Sequence, residues 1–216
     1  LAAFEQDPAR MARNAIKACF VFNLLDLGGL PREGLAAYID GVPLFRDVGT
    51  RLLGKDTEAR EHRESERVAR RAFQEKLFDP VRGLYRDGEV TEHASLHANL
   101  FPLAFGLVPT PARKGVVEWV AGRGMACSVY AAQYLLEALF EHGEDRRALA
   151  LLTAPTDRSW RHMVDSGATV TWEAWDLKYK PNMDWNHAWG AAPANLLPRF
   201  VLGVRPGAPG WTRVEV

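Results

Sequence analysis

Five of the seven tryptophans, Trp160, Trp172, Trp175, Trp185 and Trp189, fall between Trp160 and Trp189, and Glu173, Asp176, Asp184, Asn186 and His187 stand among them. Flat aromatic faces stack on the C–H faces of a pyranose, and carboxylates, amides and imidazoles bind its hydroxyls. Apolar walls with a few convergent polar groups are the usual make-up of a small-molecule site. The same residues also admit a purely architectural reading, with the tryptophans in a core and the acids on solvated loops.

Glu173 lies between Trp172 and Trp175. A carboxylate desolvated by rings is expected to have a raised pKa, which suits proton exchange near neutral pH. Inverting sugar hydrolysis needs one carboxylic acid to protonate the leaving oxygen and a second carboxylate, about 6.5–9.5 Å away, to activate water. On this reading Glu173 could take either role. His187 could bind a sugar hydroxyl or be a satisfied core histidine. His93 and His97 have the i,i+4 spacing of a metal pair, but His93-Ala-Ser-Leu-His97 lacks the glutamate of the metalloprotease helix and has no third ligand, so no metal is expected. No serine-nucleophile elbow and no phosphate loop is found, and no cofactor is expected.

The elements that must hold this stretch are mostly helices. Residues 14–27 form an apolar run, either buried helix or buried strand, and a helical pattern follows over 32–53, interrupted near Gly41 and Pro43. From Asp56 to Phe78 twelve of twenty-three residues are charged, with a narrow apolar face, which predicts a helix against water. A turn or short hairpin follows at Gly83–Gly88, then helices over 92–105, 110–120, 128–142 and 145–152. A last apolar helix is expected over 188–201, distorted by Pro193 and Pro198. The helix over 128–142 is apolar nearly all round, which predicts burial. Charged helices alternate with oily ones, which predicts an all-α fold of two concentric layers, an α/α barrel or toroid. No repeat of fixed period is present, which argues against a solenoid.

The whole-chain numbers agree. The 216 residues carry 27 basic and 27 acidic side chains, a formal net charge of zero, which argues against a nucleic-acid partner and suits a neutral ligand. No apolar run reaches the length of a membrane span, so no membrane is expected as a partner. Cys19 and Cys127 each sit in an apolar run, as buried free thiols do. The chain opens on Leu1 and closes on the alternating Trp211-Thr-Arg-Val-Glu-Val216, which reads as the first strand of a further element. Both ends are expected to lie inside a longer protein, and the compartment is left open.

Thr171-Trp-Glu-Ala-Trp-Asp176, followed by Asp184-Trp-Asn-His-Ala-Trp-Gly-Ala-Ala-Pro193, resembles the C-terminal half of the α-L-rhamnosidase catalytic domain. His93-Ala-Ser-Leu-His-Ala-Asn99 and Gly124-Met-Ala-Cys-Ser-Val-Tyr130 resemble its inter-helix segments, so the resemblance runs from about Asp56 onward. It implies a six-hairpin (α/α)6 barrel, of which residues 1–203 are the C-terminal part, with 204–216 beginning a β-sandwich. It implies an inverting hydrolase of terminal α-L-rhamnose in which Glu173 is the general base and His187 lines the sugar subsite. Trp172, Trp175, Trp185, Asp184 and Asn186 transfer more loosely, as pocket residues. The family's general acid lies in an acidic motif in the first half of the barrel, and no such motif is found here. The implied partners are a carbohydrate substrate, the remaining N-terminal half of the barrel and the C-terminal β-sandwich. The isolated chain is expected to be inactive. Another six-hairpin sugar hydrolase, or a non-catalytic carbohydrate-binding barrel, remains an alternative; a helical interaction scaffold leaves the Trp-Glu-Ala-Trp cluster unexplained.

Overall fold

The computed structural model describes residues 56–207 and 211–216. The apolar run at 14–27, the helical pattern at 32–53 and Cys19 lie outside the described residues. The backbone divides into two units, Leu1–Val116 and Val117–Val216.

In the first unit, α1 (Asp56–Leu77) is the charged helix expected from the sequence. Ala59, Phe73 and Leu77 are buried along its apolar stripe, while Glu64 and Arg67 pair in solvent on the other side. Exposed pairs of this kind contribute little to stability, because water and salt screen them. The stripe meets a hairpin of β1 (Phe78–Asp79) and β2 (Leu84–Tyr85), paired antiparallel. The Asp79 carboxylate closes the turn by accepting the N–H groups of Val81 and Arg82. Tyr85 is fully buried, with Phe73 and Phe78 at ring distances of 5.2 and 5.0 Å.

The next helix, α2 (Leu96–Ala104), is shorter than the 92–105 expected. Ser95 caps it, its hydroxyl accepting the Ala98 N–H at 3.1 Å. The residues before the cap are held by side chains instead of helix: Asp87 accepts the Ser95 N–H, and the Thr91 hydroxyl accepts the His93 N–H. Asn99, fully buried on α2, satisfies itself on the hairpin, accepting from Tyr85 N–H at 2.8 Å and donating to the Tyr85 carbonyl at 3.0 Å. A buried amide is tolerated only when paired in this way. The helix α3 (Thr110–Ala121) runs across the division between the units, with Val116 and Val120 buried.

The second unit is built on α4 (Val129–Glu141), the oily helix foreseen over 128–142. Ser128 caps its start by accepting the Ala131 N–H at 3.2 Å, and His142 with left-handed Gly143 ends it. Leu135, Leu136 and Leu139 are completely buried; each contributes about 1.5–3 kcal/mol of transfer free energy. The partner helix α5 (Asp145–Leu152) packs on α4 and buries only Ala148. Dry α2 is thus followed by the wetter α3, and dry α4 by wet α5, which is the alternation expected of helical hairpins with one face in water. Cys127 is a buried free thiol, as expected.

The last helix does not run unbroken over 188–201. A 3-10 turn (Ala188–Gly190) leads to α7 (Ala192–Leu196) and then a π turn (Leu197–Val201). Pro198 has no N–H to give to the preceding turn, and Leu202 reaches back to the Leu197 carbonyl at 3.0 Å, a wider ring than an α-helix makes. The distorted segment is tied to α4 by Arg199–Glu137 at 2.6 Å and by Phe200 stacked on Phe140 at 5.0 Å. Finally β3 (Arg205–Pro206) pairs antiparallel with β4 (Val214–Glu215), so the alternating tail does form a strand.

Candidate functional site

The tryptophan-rich stretch folds within the second unit as two irregular segments cross-linked by hydrogen bonds. Glu173 N–H donates to the Asp184 carbonyl at 3.0 Å and His187 N–H donates to the Thr171 carbonyl at 2.8 Å. The Thr171 hydroxyl returns a bond to the His187 carbonyl at 3.0 Å. This bracket brings residues far apart in sequence to one place. One ligating atom from each of Glu173, Asp184 and His187 lies within 4.8 Å of the others.

The bracket rests on a buried layer of indoles. Trp160, on α6 (Trp160–Asp165), donates its ring N–H to the Gly190 carbonyl at 2.6 Å, and Trp175 donates to the Cys127 carbonyl at 2.8 Å. Trp160 meets Trp175 edge to face at 4.9 Å, and Trp172 meets Trp185 in the same way at 4.8 Å. Trp175 is 2% exposed and Trp172 6%, whereas Trp185 is 52% exposed. Trp172 and Trp175 therefore form the support, and Trp185 is the indole open to a ligand. His187 stacks on Trp189 at 4.2 Å and its Nδ1 accepts the Trp189 N–H at 3.4 Å, so the imidazole is held by the turn that follows it. Asp184 and Asn186 are exposed.

Gly190 is required by close approach. A Cβ there would lie 2.6 Å from the Trp172 carbonyl oxygen and 2.8 Å from Thr171 Cβ. No side chain fits without moving the bracket.

The residues between the two segments form a compact turn. The Asp176 carbonyl accepts the N–H groups of Tyr179 and Lys180, and its carboxylate accepts the Lys178 N–H and meets His162 Nε2 at 2.7 Å. His162 in turn sets its ring edge to face with Trp172. The Asp157 carboxylate pairs with the Lys178 ammonium and accepts the Tyr179 hydroxyl at 2.9 Å. The turn delivers the Lys180 ammonium to Glu173 Oε1, while Glu173 Oε2 accepts the Asp184 N–H at 3.0 Å.

This arrangement reverses the electrostatic expectation for Glu173. Its pKa is lowered, first by the hydrogen bond from Lys180 and then by the Asp184 N–H, and these outweigh the desolvation that acts in the opposite sense. The indoles beside it in sequence are buried, Trp172 at 6% and Trp175 at 2% exposed, and the groups that set its charge are the Lys180 ammonium and the Asp184 N–H. A group held ionised is suited to take a proton rather than to give one. The spacing of Glu173, Asp184 and His187 is also one that a divalent cation could span, but Glu173 already has the Lys180 ammonium as its positive partner.

The His93/His97 pair does not hold in the structure. His93 precedes the Ser95 cap and binds Asp87, and only His97 lies on α2, so the two do not share a helix face. The residues that sequence reasoning passed over are Lys180, His162, Thr171 and Gly190. Each acts through a contact made across the bracket or its turn; Thr171 and Gly190 lie inside the motifs quoted above without a role of their own, and Lys180 and His162 lie outside them.

The described residues are thus largely helical, with carboxylates, a histidine and an exposed indole gathered on one bracket. Residues 42–201 match the bacterial α-L-rhamnosidase six-hairpin glycosidase domain. The chain belongs to that family, and its fold is the six-hairpin glycosidase fold. It is 26% identical over 196 residues to an α-L-rhamnosidase of Alteromonas sp. (strain LOR), a match that covers 84% of this chain and 20% of that protein. Among solved structures it is similar to the α-L-rhamnosidase of Dictyoglumus thermophilum, with a TM-score of 0.70 at 22% identity over 87% of this chain and 22% of that one. It is also similar to the Streptomyces avermitilis α-L-rhamnosidase complexed with L-rhamnose, with a TM-score of 0.68 at 24% identity over 83% of this chain and 18% of that one. The chain thus spans about a fifth of the length of these relatives. No helix among the described residues is long and apolar enough to cross a membrane.

Proposed function

We propose that the protein carrying this chain is an inverting glycoside hydrolase that removes terminal α-L-rhamnose, with Glu173 as its general base. The observation that carries the reading is the Glu173 carboxylate itself, held charged by Lys180 and the Asp184 N–H beside His187. Family membership supports the sugar, as does the L-rhamnose bound by the Streptomyces avermitilis relative.

In this mechanism Glu173 takes a proton from a water whose oxygen forms the new bond to the anomeric carbon. The glycosidic C–O bond breaks as a general acid donates a proton to the leaving oxygen. That acid is assigned to a part of the protein outside this chain, so the chain alone is expected not to turn over. His187, Asp184 and Asn186 are assigned to the sugar hydroxyls and Trp185 to an apolar face of the ring. Trp172 and Trp175 act from beneath, by fixing the bracket. Residues 1–203 are assigned to the C-terminal part of the barrel and 204–216 to the start of the β-sandwich, in keeping with a family match that stops at residue 201.

The test is hydrolysis of an aryl α-L-rhamnoside by the full-length protein, with the anomeric form of the first product read by proton NMR. Retention of configuration would remove the base role. Rhamnose binding without any hydrolysis would favour the non-catalytic barrel.

A further inference from the structure

We propose that Lys180 is a positioning residue for the base: carried on the turn between the two segments of the bracket, its ammonium fixes the direction of the Glu173 carboxylate and supplies its countercharge. The inference rests on the reading of Glu173 as the base and adds to it a residue outside the tryptophan–acid motif.

The geometry is specific to this lysine. Glu173 is clamped at both oxygens by groups on different segments, Oε1 by Lys180 and Oε2 by the Asp184 N–H at 3.0 Å. The neighbouring cation, Lys178, is committed to Asp157, and Arg158 lies over the Tyr179 ring at 4.4 Å. The turn that presents Lys180 is fixed from within by the Asp176 carbonyl and from below by Met183, which is 5% exposed and whose N–H donates to the Lys180 carbonyl at 3.1 Å. Among the described residues, the titratable groups that face Glu173 are Lys180, Asp184 and His187. Without the ammonium, Glu173 would face the Asp184 carboxylate as a like charge.

An ammonium suits this place better than a guanidinium. It is a compact charge on a flexible stem. The Lys180 side chain is 40% exposed against 14% for Glu173, so it has room to swing outward when a hydroxyl-bearing ligand or the reacting water needs the Oε1 side of the carboxylate. The base is thereby kept ionised and aimed before substrate arrives, and free to take a proton afterwards.

The experiment compares Lys180→Met, Lys180→Arg and Glu173→Gln in the full-length protein. The pH profile of kcat/KM is recorded with an aryl α-L-rhamnoside. Labelling of Glu173 by a water-soluble carbodiimide, which modifies the protonated carboxyl, is followed against pH by peptide mass spectrometry. Lys180→Met is expected to move both the acidic limb and the half-labelling point to higher pH, and to lower kcat more than it changes KM. Lys180→Arg is expected to return the limb toward its original position. If Glu173→Gln is inactive while Lys180→Met leaves the limb and the labelling where they were, the role of Lys180 is overturned and the base stands. If Glu173→Gln retains turnover, the base reading is lost, and Lys180 as a positioning residue for it is lost too. Should Lys180→Met fail to fold, Lys180→Gln, a neutral donor of similar reach, gives the same readings.

Discussion

Glu173 and Asp184 hold each other by reciprocal hydrogen bonds: the Glu173 N–H donates to the Asp184 carbonyl and the Asp184 N–H donates to the Glu173 carboxylate, each at 3.0 Å. Backbone and side chain of one residue are thus both referred to the backbone of the other. One oxygen of the proposed base, Oε2, is thus held by main chain, which does not change rotamer, and the other by the Lys180 ammonium.

The first prediction concerns Glu173→Gln. Glutamine keeps the shape and can still accept the Asp184 N–H, but it cannot take a proton from water. Turnover of an aryl rhamnoside by the full-length protein is expected to fall by about 10²–10⁴-fold with substrate binding largely retained. Near-unchanged kcat would take Glu173 out of the mechanism.

Trp185 is the open indole, and its replacement should act on binding. Trp185→Ala is expected to raise KM about two- to twelvefold with a smaller change in kcat, the size of one aromatic contact of about 0.5–1.5 kcal/mol. A large fall in kcat at unchanged KM would place Trp185 in the chemistry instead.

Gly190→Ala should be costly in spite of its size. The added methyl would lie 2.6 Å from the Trp172 carbonyl oxygen, and backbone must move to admit it. Overpacking of this kind costs about 1–3 kcal/mol. The denaturation midpoint should fall and turnover should fall with it, because Trp172 adjoins Glu173. A variant as stable and active as the parent would show that the bracket yields easily.

The turn over 176–183 should loosen in acid. Asp157 is held below its ordinary value of 3.8 chiefly by Lys178, Asp176 below 3.8 by the Lys178 N–H and His162, and Glu173 below 4.5 by Lys180. A carboxylate with a lowered folded pKa binds fewer protons folded than unfolded. Its stabilisation is therefore present above the ordinary value and lost as pH falls through the lowered one. Hydrogen exchange of the 176–183 amides, corrected for intrinsic rate, should show protection constant above about pH 5 and declining below about pH 4. Protection that rises on acidification would reverse the sign of the argument.

What could be read from the sequence was what depends on neighbours along the chain. Helix α4 announced itself through its apolar pattern, Ser128 at one end and His142-Gly143 at the other. Charge density marked α1, and the clustering of acids and indoles marked the bracket. The misreadings came from contacts that cross turns. His93 and His97 have helical spacing, but Ser95 starts the helix between them. Glu173 lies between two tryptophans in sequence, yet its electrostatics are set by Lys180 and by an N–H eleven positions away. The apolar run over 188–201 has the composition of a helix, and Pro198 divides it by withholding one donor. Gly190 stands in the quoted motif, but the reason it must be glycine shows only in the Trp172 carbonyl packed against it.

The stitching of Thr171 and Glu173 to Asp184 and His187 closes the intervening residues into a loop whose two ends are fastened to each other. Such a loop can vary at its exposed tip, Pro181 and Asn182, while its anchor points and Lys180 stay in register. The fold therefore separates a tolerant tip from the fastened ends that hold Glu173, Asp184 and His187 together.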